Sequence, residues 1–523
     1  MLRFFETVFV QPALKSDRSP SVNITIRERI YYMDRIFDVV IIGGGINGCG
    51  CAADAALRGL SVLLVEQDDL ASKTSSSSSK LIHGGLRYLE YLDFKLVKKA
   101  LNERQMLLKL APHLVHPLPI VLPHEKNMRP AWLLRVGLFL YDHLSRINRL
   151  PKSKFIHRTA HSPWFNPLVE RLKKGFLFYD CMTDDARLTI ASALQAKEHG
   201  ATIMTQTKLI KAEANENLWL LTLQTASSSP FQVMTRTIIN AAGPWVEPVN
   251  QLLQIPLQHT MSLIKGSHVV VHKIYEGEHA YLLQHDDKRV VFVIPYHGHT
   301  MIGTTDVPFT GKLDDVSIEA SEIDYLFALI GRYFNKQLHQ SDIINTWSGV
   351  RPLLSAKGKQ SSALSRDYAC HFSTQPAPSV TIYGGKITTY RQLANEAINQ
   401  LLAVFPDLPD SSTQITPLPG AMYGSMSFNE YQHHARDKYY WLDENTLLRY
   451  LNSYGTRTEI ILDGCRNMAD LGVCFTDTLY QVEVNYLMRE EWAKTCEDIL
   501  WRRTKLGLKM DADSQYSLAR YIL

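Results

Sequence analysis

Near the N-terminus, Gly43-Gly44-Gly45-Ile46-Asn47-Gly48 has the residue types and spacing to cradle a pyrophosphate. Gly43 permits a tight turn, Gly45 lets the backbone approach phosphate oxygens with no Cβ in the way, and Gly48 allows a helix to pack close to the preceding strand. The helix then offers its N-terminal amides to the phosphates. Glu66, after Ser61-Val62-Leu63-Leu64-Val65, is an acceptor when ionised. It suits the two hydroxyls of an adenosine ribose and would repel a 2′-phosphate. An ordinary tight turn would explain the glycines alone. The strand before them, the alanine-rich helix after them and the acid at this distance point to a bound dinucleotide.

These groups need elements to hold them. Val39 to Ile42 reads as a buried strand, and Cys51 to Leu57 as a helix ending at Arg58-Gly59, where glycine suits the C-terminal turn. The hydroxyl-rich run Thr74 to Ser79, leading through Lys80 and Leu81 to Gly84-Gly85, is either a linker or a lining of short side chains that admits a bulky ring. Leucines from Leu89 to Leu110 follow helical spacing until Pro112 and Pro117 stop it. Lys173 to Asp180 reads as a turn and strand, and Asp184-Asp185 as an acid-capped helix start. Two more strands run into small-residue turns, at Ala241-Ala242-Gly243-Pro244-Trp245 and at Gly384-Gly385-Lys386-Ile387-Thr388. Either turn suits contact with a flavin or a pyrophosphate. From about 255 to 350 the runs are β-rich, and beyond about 410 helix formers and aromatics dominate.

Composition narrows the classes. A chain of 523 residues exceeds the usual size of one core, so two or three domains are expected. The net charge of +4 neither demands nucleic acid nor excludes an anionic membrane face. Seven cysteines without a CxxC pair give no zinc pattern and no disulfide framework, so no metal is expected and a reducing compartment is the simpler setting. No stretch reaches the ~20 apolar residues of a spanning helix. Ala131 to Tyr141, interrupted by Arg135, reads as a core helix in preference to an interfacial one. Arg502-Arg503-Thr504-Lys505 reads equally as a solvated helix end or as a phosphate or lipid contact. Residues 1–33 form an extension ahead of the fold, with Met33 a candidate start and no good secretory signal.

The chain resembles the flavin-dependent, quinone-linked glycerol-3-phosphate dehydrogenases of aerobic respiration. The likeness runs from Asp38 to about Met510 and is carried by Gly43 to Gly48, Ser79 to Leu89, Asn240 to Trp245, Ser348 to Leu353, Ser365-Arg366-Asp367, Gly384 to Arg391 and Leu500 to Gly507. No calcium-binding loop follows the helical domain, unlike the longer mitochondrial members. The resemblance implies oxidation of sn-glycerol 3-phosphate to dihydroxyacetone phosphate by FAD, with electrons passed to ubiquinone. It also implies a homodimer bound peripherally at the cytoplasmic face of a bacterial inner membrane. The implied fold class is α/β plus α, with a Rossmann-like FAD domain of the amine-oxidase-like type, a mixed-sheet substrate domain and a helical C-terminal domain. The boundaries expected are 34–100, 175–250 and 350–405 for the FAD domain, 101–174 and 251–349 for the substrate domain, and 410–523 for the helical one.

On these residues FAD is expected to contact Gly43, Gly45, Asn47, Gly48, Glu66, Thr74, Ser75, Ser79, Lys80, Leu81, Gly85, Ala242, Gly243, Trp245, Gly385, Lys386 and Thr388. A dianionic phosphate calls for planar guanidinium forks. Arg351, in a rigid Gly-Val-Arg-Pro setting, is the best clamp, with Arg87 and Arg366 sharing the charge. Lys386 would stabilise developing negative charge on flavin or substrate oxygen. His268 is the preferred base for the hydroxyl proton, with His83 the alternative. The rivals are an oxidase that uses oxygen on the same substrate, an amino-acid oxidase of the same fold, a nicotinamide dehydrogenase and a non-catalytic flavin holder.

Overall fold

The first strand, Ile36–Ile42, is almost wholly apolar because neighbours flank it on both edges and helices cover it. In this computed structural model, which describes residues 35–125, 128–145, 147–159, 162–226, 229–287, 289–355 and 367–523, it lies at the centre of an eight-stranded sheet. Val62–Val65 and Phe231–Asn240 pair with it in parallel, Thr202–Met204 extends one side and Ser379–Gly384 the other. Helix Ile46–Leu57 packs between Asp185–Glu198 and Tyr390–Asn399 through Cys49, Ala52, Ala53 and Ala56, whose small side chains permit the close approach. At Gly50 even a Cβ would stand 2.7 Å from the Tyr390 ring. The N-terminal extension 1–33, Met33 included, lies outside the described residues.

A ten-stranded, mainly antiparallel sheet forms the second layer. Its long pair is Met261–His272 against Ile343–Leu354, and Val115–His124 against Lys174–Thr183 makes its other wing. Two strands and the end of a third fall here that the sequence reading grouped elsewhere: Leu81–Ile82, Lys174–Thr183 and the last five residues of Ile343–Leu354. An apolar strand carries the same alternation in either sheet, and only its distant partners decide which it joins. The helical pattern from Leu89 also divides, into a 3-10 turn at Leu86–Tyr91 and helix Phe94–Leu110, whose first turn is capped by Asp93 accepting from the Leu96 amide at 3.2 Å.

The C-terminal part is helical around a tyrosine-rich core of Tyr450, Tyr454 and Tyr486, with one small hairpin at Cys474–Thr476 and Leu479–Tyr480. Ion pairs fasten it to the dinucleotide layer. Arg503, fully buried, grips Asp69 and donates to the Glu491 carbonyl at 2.6 Å, while Arg502 Nε reaches Asp69 at 2.5 Å. Lys505 donates to Asp184 at 2.5 Å, and Arg187 holds Glu491 through both guanidinium nitrogens. The run 502–505 is therefore neither a solvated end nor a lipid contact. The reverse correction applies to helix Ala131–His143, read as core. It turns Leu138 and Tyr141 inward and leaves Trp132 68% and Phe139 59% exposed, with Leu133, Val136 and Leu140 beside them. No helix among the described residues is long and apolar enough to cross a membrane.

Candidate active site

A cavity of about 540 Å³ is lined from both sheets. At one end stand the first glycine turn and Glu66. Gly43 has φ +111°, and a Cβ there would meet the Ala241 carbonyl oxygen at 2.7 Å, so only glycine fits. Gly45 faces the cavity, whereas Gly48 lies behind it, where a Cβ would collide with the Gly43 carbonyl. The amide of Ile46 does not point free into the cavity as expected; it donates to Ser75 Oγ at 2.9 Å, so a side chain from the serine run caps this helix. Glu66 accepts from the Gly44 amide at 2.6 Å and the Asp68 amide at 2.9 Å, one on each carboxylate oxygen. Burial raises its pKa against the pull of those two donors. Both oxygens keep lone pairs for a ligand's hydroxyls.

The serine run is a lining and not a linker. Thr74, Ser75, Ser79 and Leu81 all face the cavity. Thr74 Oγ1 donates to the Val350 carbonyl at 2.7 Å, which ties the run to the second sheet. Lys80 departs from its expected role. Its backbone is left-handed at φ +58°, which throws the side chain behind the run onto Asp185 at 2.8 Å. Asp185 also accepts from Ser78 Oγ at 2.6 Å and from the Ser78 amide at 3.1 Å. Gly85, left-handed at φ +74°, likewise shapes the turn without lining the cavity. Ala242, Gly243, Trp245, Gly385, Lys386 and Thr388 line it. Asn47 spans the two halves: its Nδ2 donates to the Gly384 carbonyl at 3.1 Å, and its buried Oδ1 has no partner among the described residues.

Arg351, Lys386, His83 and His268 share this one cavity. Arg351 Nη2 donates to the Thr305 carbonyl at 2.9 Å and to Asp306 at 3.0 Å. Lys386 Nζ sits 4.2 Å above the centre of the Tyr88 ring, and the His83 amide donates to Thr388 Oγ1 at 3.4 Å. His268 Nε2 lies 2.9 Å from Ser79 Oγ, and its ring stacks on Trp347 with centroids 5.4 Å apart. Burial first, then the charges of Lys80 and Arg351, push its pKa well below the ordinary value, so its imidazole is neutral. Arg87 lies in the turn Leu86–Tyr91, with its side chain outside the described set, and Arg366 falls outside the described residues. Among those described, no cluster of metal ligands occurs. Sequence reading passed over Thr304 on the cavity wall and Asp306 behind Arg351; the only signal was their place at the end of an apolar strand.

The site fits FAD on three counts: the side-chain-free cradle at Gly43 and Gly45, the carboxylate at the end of the second strand, and the unpartnered Asn47 acceptor. The family described as FAD dependent oxidoreductase matches residues 38–385, and the C-terminal domain of alpha-glycerophosphate oxidase matches 411–522. A glycerol-3-phosphate dehydrogenase of Pseudomonas aeruginosa is 46% identical over 492 residues, covering 93% of this chain and 95% of that relative. A D-erythritol 1-phosphate dehydrogenase of Brucella abortus is 43% identical over 474 residues, covering 90% and 94%. The aerobic glycerol-3-phosphate dehydrogenase of Escherichia coli is 42% identical over 492 residues, covering 93% and 97%.

Proposed function

The chain belongs to the FAD-dependent glycerol-3-phosphate dehydrogenases, and from that premise we propose that Arg351, Lys386 and His268 carry out its reaction in the cavity described. The reaction is oxidation of sn-glycerol 3-phosphate to dihydroxyacetone phosphate, with ubiquinone as the final acceptor. The carrying observation is that a guanidinium, an ammonium and a neutral imidazole share one cavity with the dinucleotide turn.

FAD, when bound, supplies the acceptor for the two electrons and the hydrogen leaving the central carbon. Gly43, Gly45, Asn47 and Glu66 would hold its pyrophosphate and ribose, and Ala242, Gly243 and Gly385 present backbone with little side-chain bulk. Arg351 binds the substrate phosphate with its planar fork; for Arg87 and Arg366 a share in that charge rests on the resemblance alone. His268 takes the hydroxyl proton, for which a neutral ring held by Ser79 is suited. Lys386 supplies the cation for developing negative charge. Thr388 and His83 complete the wall, His83 being the alternative base.

Arg351→Ala is expected to raise the KM for glycerol 3-phosphate about a hundredfold while leaving flavin absorbance intact; a wild-type KM would remove the clamp from this reading. Anaerobic substrate addition should bleach the flavin band, and reoxidation by a ubiquinone analogue should outpace that by oxygen. The reverse order favours an oxidase. Because the Brucella relative is named for a longer polyol phosphate, kcat/KM for glycerol 3-phosphate and for D-erythritol phosphates should be compared on the same preparation. The exposed face of helix Ala131–His143 is the proposed seat on an anionic bilayer, at the cytoplasmic side of the inner membrane, with the chain acting as a homodimer.

A further inference from the structure

Asp306 stands behind Arg351 and outside the cavity lining, so it touches neither substrate nor cofactor space. It nevertheless holds the guanidinium of Arg351, which does line the cavity. One nitrogen, Nη2, donates both to Asp306 Oδ1 at 3.0 Å and to the Thr305 carbonyl at 2.9 Å. The guanidinium lies close to Gly266, where a Cβ would come within 2.5 Å of Nη2, 3.0 Å of Cζ and 2.5 Å of Thr304 Oγ1. The segment that presents these acceptors is itself bolted down. Thr305 Oγ1 donates to Glu322 at 2.6 Å and accepts from the Ser267 amide at 2.8 Å, and Lys265 pairs with Glu322 at 3.0 Å. A rigid acceptor pair on one side and a glycine floor beneath fix both the rotation and the height of the fork.

We propose that Asp306 is a positioning residue for substrate phosphate, acting through Arg351 by fixing its guanidinium over Gly266 before the substrate arrives. The inference rests on Arg351 being the phosphate clamp. Pre-setting a flexible four-bond side chain removes an ordering cost that binding would otherwise meet, and a misplacement of about 1 Å is worth up to roughly a hundredfold in rate or affinity. Two substitutions separate geometry from charge. Asp306→Asn and Asp306→Ala both delete the negative charge, but only alanine deletes the acceptor.

The experiment measures steady-state KM and kcat of the FAD-loaded enzyme with glycerol 3-phosphate for both variants. The KM of Asp306→Ala is expected to exceed that of Asp306→Asn by about tenfold or more, with kcat at saturation and flavin absorbance alike in the two. Gly266→Ala, which keeps Asp306 but lifts Nη2 off its floor, should raise KM in the same way, and it decides the matter if Asp306→Ala does not fold. In an Arg351→Ala background, Asp306→Ala should change KM by less than about twofold, because the residue it positions is gone. Equal KM values for the two Asp306 variants, or a wild-type KM in Gly266→Ala, would overturn the inference while Arg351→Ala still shows its own defect. A wild-type KM in Arg351→Ala would overturn the clamp reading and this inference with it.

Discussion

Helix Ala131–His143 and the run Arg502 to Lys505 invert the usual assignment of residues to surface and interior. The helix is rich in leucine and aromatics yet exposes Trp132, Val136 and Phe139, whereas the four-residue run has three cations and is buried. The difference lies in partners. Arg503 and Arg502 meet Asp69, Lys505 meets Asp184 and Arg187 meets Glu491, so each charge leaves water with its counter-charge and hydrogen bonds in place. Nothing among the described residues covers the outer face of the helix. Its inner face is tied in firmly, with the Tyr141 hydroxyl accepting from the Gly84 amide and donating to Asp180, both at 2.8 Å. A buried basic run thus signals an internal joint, and an exposed apolar face on a well-anchored helix signals an external surface.

The sharpest way to break this contrast is Arg503→Leu. It strands Asp69 beside Arg502 alone and is expected to cost about 3–5 kcal/mol, read as a lowered urea midpoint at unchanged slope. A change under about 0.5 kcal/mol would return the run to the class of surface charges. Next in size, replacing Trp132, Val136 and Phe139 together by serine should weaken flotation with anionic liposomes at least tenfold and leave the urea midpoint in place. A large loss of stability instead would make that face part of the core.

Acid provides a third comparison. Burial pushes the Glu491 and Asp184 carboxyls up, but the cations of Arg187 and Lys505 outweigh it, and both end below their ordinary values of 4.5 and 3.8. Between the folded and unfolded pKa values the unfolded chain binds more protons. The stability these pairs contribute is therefore complete above about pH 5 and is lost as pH falls through the lower folded values. Urea midpoints of wild type should fall below about pH 4.5, and a double substitution Glu491→Gln with Arg187→Met should flatten that fall. The smallest effect concerns salt. Raising NaCl from about 0.1 to 0.5 M should weaken liposome binding modestly, through screening near Arg135, while the buried joint is hardly touched.

What the sequence made legible follows the range of the interaction. The first glycine turn was readable because its demands are local: Gly43 needs φ +111°, and the strand and helix beside it declare themselves within twenty residues. Lys80 was misplaced because nothing in Ser-Lys-Leu announces the left-handed backbone that turns its side chain to Asp185. The pairing of Asp69 with Arg503 spans 434 positions and has no sequence signature. Asp306 escaped notice for the same reason, since its partner Arg351 lies on a strand 45 positions away. Ala131 to Tyr141 failed differently: apolar content fixes that a surface avoids water, and says nothing of what will cover it.

The contact of Asn47 with the Gly384 carbonyl joins positions 337 residues apart. At translation rates of roughly 5–20 residues per second, the ribosome needs on the order of twenty seconds to a minute to supply the second lip after the first has emerged. During that interval the central parallel strands lack Ser379–Gly384 as their neighbour and leave an open edge. The second lip of the cavity is thus completed only late in synthesis, long after the first has emerged.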